Sequence, residues 1–388
     1  MVFFLLIFSV FLYYSLHKYS YEYSAKRFIV FISIILIALS GLRHEGVGND
    51  TYAYMIIYDN SGNVTWNYGF EDFIKRFISP TGNDDKDPGM LCFMKILHTL
   101  NLNSRFFLFI VSSMLIIPLG IFIYKNSDNF KSVLFSYFFY ISLFYGYLPN
   151  SAIRQTIALS FVLWAYLLIL NKKRKGIFFI IIGALFHKSA LVSLILMPLL
   201  YLKNIKLWYK VSFIPFLIIL IFQEQVAYFL VDGNEVYSGY GTGLYYSDNN
   251  QSKPFFVIVL MSLLYFFVWI YLMEIKGDFI DKKLQLMVYG CALTFVLTPL
   301  VLVNPTALRI ISYFAPCMAI IVGYAFQKIR WGKIYFTLLL LAFMYKSFSN
   351  INAYRFMWQK MELHERYSDL NLKEIDYLQN NNKELILT

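Results

Sequence analysis

The sequence predicts an all-α, polytopic membrane bundle, and three observations carry the prediction. Of 388 residues, 59% are hydrophobic and only 15% charged, against about 25% charged in soluble domains. Aromatic residues reach 20%, with 39 Phe and 32 Tyr. Apolar runs near the ~20 residues that one helical crossing needs recur from end to end. These features exclude a water-soluble enzyme, a disordered chain and a disulfide scaffold. A membrane β-barrel would alternate apolar and polar residues, and these runs are solidly apolar.

The charge balance, 34 Lys and Arg against 23 Asp and Glu, gives +11. In a membrane protein the usual source of such an excess is basic cytoplasmic loops. Nucleic acid is excluded as a partner, because no basic arm with interleaved aromatics occurs. Cys92, Cys291 and Cys317 lie far apart and lack metal-ligand spacing. The stretch Val2–Leu16 lacks a small-residue cleavage site and reads as a retained span.

The spans expected are 2–16, 28–42, 106–124, 132–148, 153–170, 211–231, 254–273, 285–303, 310–327 and 334–348, with the stretch 177–202 between them. That stretch is interrupted by Phe186-His187-Lys188-Ser189, so it is one long span or two short legs meeting at a turn. The basic residues choose. Loops 17–27, 125–131 and 171–175 share one side, and loops 203–210, 274–284 and 328–333 share one side. Two legs put all six basic loops in the cytoplasm, as the positive-inside rule asks; one crossing splits them. The expectation is therefore about 12 transmembrane helices, counting a short broken pair around His187. Residues 1–348 form the membrane domain, with periplasmic loops 43–105 and 232–253, and 349–388 form a polar periplasmic tail. No internal repeat or low-complexity run is visible.

Four polar clusters sit at outer helix ends. They are the run from Arg43-His44-Glu45 through Gly46, Gly48 and Asp50 to Tyr52, then Asn150-Ser151-Ala152-Ile153-Arg154-Gln155, then His187-Lys188-Ser189, and Asn304 to Arg309. Each has a bland reading: an arginine can snorkel to headgroups, Asp50 can merely cap a helix, and a lone interfacial histidine is ordinary. Their shared boundary favours chemistry. Arginine forks bind phosphate oxygens in a bidentate way, and helix N-termini at Arg154 and Arg309 would add positive ends. A lipid-borne diphosphate fits Arg43, Arg154, Gln155, Lys188 and Arg309. Sugar rings fit nearby aromatic faces such as Tyr52, Tyr54, Trp66, Tyr68, Tyr240 and Tyr313.

Several of these pieces occur together in one family. Arg43…Val47-Gly48…Asp50…Tyr52, Asp87-Pro88-Gly89, Ile153-Arg154-Gln155…Ala158, Leu185-Phe186-His187-Lys188-Ser189-Ala190, Arg309…Tyr313-Phe314 and Ala353-Tyr354-Arg355-Phe356 appear in order from about 40 to 356. The chain resembles the EpsG family, close to the Wzy-type O-antigen and exopolysaccharide polymerases. His44-Glu45 depart from the family pattern, which often has an aromatic or Asn after the first Arg.

The resemblance implies a GT-C-like glycosyltransferase in the bacterial inner membrane, with its site facing the periplasm. A growing glycan on undecaprenyl diphosphate would be transferred to the non-reducing end of an undecaprenyl-diphosphate-linked repeat unit. It also implies a chain-length regulator protein as partner, beside membrane lipid. The residues suggest a reaction without metal or cofactor, with His187 as first choice of base and Asp50 as second. An O-antigen ligase, moving glycan to lipid A core, uses the same donor chemistry. A lipid-linked glycan flippase would place charges mid-span along a central path, and here charge gathers at one face.

Overall fold

In the computed structural model, the residues described are 21–48, 50–67, 71, 74, 88–128, 130–171, 175–223, 225–226, 252–274, 281–303, 307–329 and 354–359. Among them the regular structure is helical, with one isolated antiparallel bridge between Arg43 and Phe356. In chain order the helices are α1 (Tyr21–Gly41), α2 (Thr51–Asn60), α3 (Gly89–Thr99), α4 (Ser104–Asn126), α5 (Phe130–Tyr140), α6 (Ile153–Leu170) and α7 (Lys175–Phe186). A 3-10 helix (Lys188–Ile195) runs into α8 (Leu196–Leu199). Then come α9 (Ile205–Val211), α10 (Phe213–Ile221), α11 (Ser252–Glu274), α12 (Lys282–Leu297), α13 (Leu300–Val303), α14 (Leu308–Ile311) and α15 (Ala315–Lys328).

Among the described residues, four segments are long and apolar enough to cross a bilayer: Ser104–Asn126, Ile153–Leu170, Phe255–Glu274 and Lys282–Leu302. They match the expected spans 106–124, 153–170, 254–273 and 285–303. The expected span 28–42 falls in α1, 132–148 in α5 and its extension, and 211–231 partly in α10. Spans 2–16 and 334–348, loop 232–253 and most of the tail 349–388 lie outside the described residues. Ile34, Phe106, Phe178, Ile221 and Phe255 are each more than half exposed. In water such a belt would be a liability; facing lipid it has no cost. The protein is a helical membrane protein.

Helix α6 sits centrally, packed against α7 on one side and α4 on another, and α4 carries α1. Helix α15 ties α12, α5 and α11 together. The expected span 310–327 is not one helix. A turn at Ser312–Phe314 separates α14 from α15, and Pro316 at the start of α15 enforces the break. Helix α5 ends in a π-helical turn, Ile141–Tyr145, which leads into the turns holding Tyr147 and Asn150.

The stretch 177–202 folds back on itself. Residues seven apart in a continuous helix are separated by about 10 Å along the axis. Here a Cβ built on Gly183 would lie 3.5 Å from the Cβ of Ala190. The reversal is at His187, whose backbone is extended (φ −160°, ψ 114°). Gly183 permits it, since its bare Cα already lets the Ala158 carbonyl oxygen come within 3.0 Å of where a Cβ would be. The first leg, 12 residues, is about 18 Å long, short of a ~30 Å hydrocarbon core.

The described parts of segment 43–105 cap this end of the bundle. Gly89 at the head of α3 abuts the Leu185 carbonyl, 3.2 Å from its would-be Cβ, and Phe93 meets Phe186 edge-on at 5.8 Å. Gly48 adopts φ +90°, and a Cβ there would fall 1.7 Å from the Asn150 carbonyl oxygen. Only glycine fits both demands. Gly48→Ala is therefore expected to lower stability by about 1–3 kcal/mol from overpacking alone, with the positive-φ penalty added. Thermal unfolding of the detergent-purified protein reads this directly; an unchanged Tm contradicts the docking of the 43–51 loop on the head of α6.

Candidate active site

Two groups of polar residues occupy the capped end, and they differ in what their charges are used for. The first is built on Arg43, whose side chain is fully buried. Its Nη1 donates to the Ser40 carbonyl and to Ser40 Oγ at 2.9 Å, and Nε and Nη2 donate to Thr51 Oγ1 at 3.3 and 3.1 Å. Thr51 Oγ1 in turn lies 2.7 Å from the Asn150 carbonyl. The Arg43 carbonyl accepts from Arg105 Nη1 at 2.8 Å, and Arg105 faces Glu45 at 3.8 Å. The segment 354–359 is pinned across it: His44 N donates to the Arg355 carbonyl at 2.7 Å and Met357 N to the Leu42 carbonyl at 2.9 Å. A buried guanidinium so occupied holds the loop together and presents little to a ligand. Arg43, expected at a diphosphate, is engaged here by Ser40 and Thr51. His44 and Glu45 acquire local partners too, with His44 Nδ1 accepting from Gly46 N at 3.1 Å.

The second group brings together Asp50, Arg154, Gln155, His187 and Arg309. Asp50 occupies the cap position of α2, but in helical conformation and without a side-chain cap bond. The carboxylate is therefore not consumed as a cap, and it lies within the fields of Arg309 and Arg154. Burial outweighs those two cations and holds the Asp50 carboxyl above its ordinary range. Arg154, in the first turn of α6, lies over the Tyr54 ring at 6.0 Å. Arg309 donates through Nε to the Tyr147 hydroxyl. Gln155 is buried; its Nε2 donates to the Arg309 carbonyl at 2.5 Å and to Ser312 Oγ at 2.9 Å. Gln155 thus holds the turn that carries Arg309 rather than reaching outward.

His187 sits at the break between the two legs, outside either helix. Burial, reinforced by the positive fields of Arg154 and Arg309, pulls its pKa well below the usual histidine range. Its Nδ1 pairs with Ser189 Oγ at 2.6 Å, and Ser189 Oγ pairs with the Tyr313 hydroxyl at 3.0 Å. Tyr313 is fully buried, so it belongs to this hydrogen-bond line and has no ring face open to a sugar. Lys188 opens the 3-10 helix beside His187, half-buried. Tyr52 is half-buried on α2. Tyr240 lies outside the described residues, as do Tyr68 and Asn304-Pro305-Thr306. The helix N-terminus expected behind Arg309 is absent: α14 has four residues with Arg309 in its last turn, too short for a dipole of consequence. Helix α6 does start at Ile153, beside Arg154.

With this geometry in hand, the sequence comparison is decisive: the EpsG family profile matches residues 26–361. The chain belongs to the EpsG family. No curated protein and no solved structure matches the chain. Membership in the EpsG family agrees with a polysaccharide polymerase-type role in general. The matched range contains every residue of both polar groups. Among the described residues no set of three or more His, Cys, Asp or Glu side chains is placed to hold a metal ion.

Sequence reasoning missed Tyr147, Ser312 and Arg105. Each is an ordinary residue in the sequence and becomes significant only through a partner far along the chain. The raised Asp50 pKa carries a linkage consequence. A carboxyl whose folded pKa exceeds its unfolded value weakens the fold as pH rises through that interval, and the deficit persists at neutral pH. Asp50→Asn is expected to raise Tm at pH 7 and to leave it unchanged at pH 4. An equal or lower Tm for the variant at pH 7 contradicts a desolvated carboxylate at this position.

Proposed function

We propose that the protein is a polysaccharide repeat-unit polymerase. It transfers a growing glycan from undecaprenyl diphosphate to the non-reducing end of an undecaprenyl-diphosphate-linked repeat unit, at the periplasmic face of a bacterial inner membrane. The observation that carries this reading is the convergence of Arg154 and Arg309 on Asp50 and His187 at one capped end of the bundle. Among the described residues two guanidiniums stand within reach of the Asp50 carboxyl, and guanidinium forks are suited to the oxygens of a diphosphate. In this reading the chain has about twelve helical segments in a GT-C-like arrangement, counting the two legs around His187.

The reaction is a displacement at the donor's anomeric carbon. The acceptor hydroxyl oxygen forms the new bond to that carbon, the bond to the diphosphate oxygen breaks, and its electron pair leaves with the diphosphate. Arg154 and Arg309 offset the charge that builds on the leaving group, and preorganised donors in a desolvated site are effective at this. Lys188 adds charge at the same turn. No metal or cofactor is required, since the diphosphate already activates the donor. The acceptor's proton goes to Asp50. A desolvated carboxylate with a raised pKa is a competent base, whereas an imidazole flanked by two guanidiniums resists protonation. Tyr54, already beneath Arg154, and Tyr52 lie where sugar rings would stack. A chain-length regulator would act as partner. An O-antigen ligase reaction uses the same donor and remains the second reading, because the same cations serve it.

The experiment is genetic and biochemical together. Deletion in the host should abolish the ladder of surface glycan lengths while leaving a single repeat unit attached; complete loss of surface glycan overturns the polymerase reading in favour of ligase or flippase. Arg309→Ala and Arg154→Ala should lower turnover of a synthetic lipid-linked repeat roughly 10²-fold or more. Arg→Lys variants should recover only part, because the bidentate fork is lost. Full chain length at normal protein levels with either Ala variant contradicts diphosphate binding there.

A further inference from the structure

The line Tyr313–Ser189–His187 is a feature that neither family membership nor charge balance explains. It links three side chains from two distant stretches of chain: the Ser189–Tyr313 pair is 124 residues apart in sequence and 3.0 Å apart in space. Its hydrogen-bond direction follows from chemistry. A phenol is a more acidic donor than an alcohol, and an unprotonated imidazole nitrogen is a better acceptor than a hydroxyl. The cooperative order is therefore Tyr313 donating to Ser189 Oγ, and Ser189 donating to His187 Nδ1. With Nδ1 accepting, the ring's proton resides on Nε2. Among the described residues, the charged groups whose fields reach the ring are Arg154 and Arg309, with Lys188 adjacent in sequence, and all three are cationic. A ring in that company does not gain a second proton, and its Nε2–H is aimed by the bond at Nδ1.

We propose that Ser189 and Tyr313 fix His187 as the Nε2–H tautomer, so that the ring donates a hydrogen bond to the diphosphate oxygen released from the anomeric carbon and takes no proton from the acceptor. This rests on the polymerase reading for the identity of the diphosphate, but not for the tautomer. His187 then joins Arg154 and Arg309 on the leaving group, and Asp50 alone receives the proton. Ser189 and Tyr313 are positioning residues: they act through the ring. The spacing of Phe186-His187-Lys188-Ser189 thereby gains a physical reason. Ser189, two residues after the histidine in the first turn of the 3-10 helix, is brought back to Nδ1 by the extended backbone at His187.

Two measurements test this, and they fail separately. The first reads the tautomer without activity: nitrogen NMR of the full-length protein labelled at histidine, with the His187 signals assigned by their loss in His187→Gln. The expected spectrum shows unprotonated Nδ1 and protonated Nε2, constant from pH 5 to 8, with the two tautomers mixing in Ser189→Ala. A protonated Nδ1, or an imidazolium appearing within that range, overturns the proposal. The second uses purified protein and synthetic lipid-linked repeat. Glutamine can present an N–H near the place of Nε2 but cannot accept a proton, so His187→Gln should keep turnover within about tenfold of wild type while His187→Ala falls about 10²-fold. Ser189→Ala should lower kcat roughly three- to tenfold at unchanged KM, with Ser189→Thr restoring it. Equal loss in His187→Gln and His187→Ala returns the histidine to the role of base and overturns the donor role. If wild-type protein is idle on every lipid-linked repeat while the expected tautomer is observed, the polymerase reading fails and the relay stands.

Discussion

The cost of taking charge out of water governs the capped end of this bundle. Each ionised side chain there meets a different solution to that cost. Arg43 is fully desolvated and is matched by hydroxyl and carbonyl oxygens of Ser40 and Thr51. Arg105 and Glu45 pair with each other. Arg309 leans on the Tyr147 hydroxyl, Arg154 on the Tyr54 ring, and both lie within reach of a carboxyl that burial would rather see protonated. The first solution is closed and structural. The last gathers two guanidiniums and a desolvated carboxyl in one place.

The scaffold makes the site possible. Thr51 connects Arg43 to the Asn150 carbonyl, and Gly48 touches that same carbonyl, so the loop carrying Asp50 is docked on the head of α6 just before Arg154. Gln155, the next residue, grips the turn that carries Arg309. The fold-back at His187 delivers the ring to the same place from a third direction. Four stretches of chain that are distant in sequence thus meet where α3 closes over the end of α7.

Much of this was legible in the sequence, for physical reasons. Long apolar runs can only be helices in a membrane, because every backbone polar group must be satisfied within its own segment. The four long helices follow from that alone. The reversal at His187 was legible because basic loops on both sides of 177–202 had to share a side. The gathering of Arg154, Arg309, His187 and Asp50 was anticipated from the polar interruptions they make at the ends of apolar runs. What was not legible depends on pairs far apart in sequence: Arg309 with Tyr147 across 162 residues and Gln155 with the Arg309 carbonyl across 154. Arg43 looked like its fellow arginines in the sequence, since nothing local tells a buried guanidinium from an exposed one. Tyr313 was read as an aromatic face, and its hydroxyl is what the fold uses. The break between α14 and α15 was carried by Pro316, which a scan for apolar runs passes over.

The most direct test of the central claim is a structure of the protein with undecaprenyl diphosphate bound in a lipid nanodisc. The account predicts phosphate density between the guanidiniums of Arg154 and Arg309, with His187 Nε2 facing a phosphate oxygen and Arg43 untouched. Phosphates seated instead against the basic loop at Lys203, Lys206 and Lys210, with the Arg154–Arg309 gap empty, would contradict it.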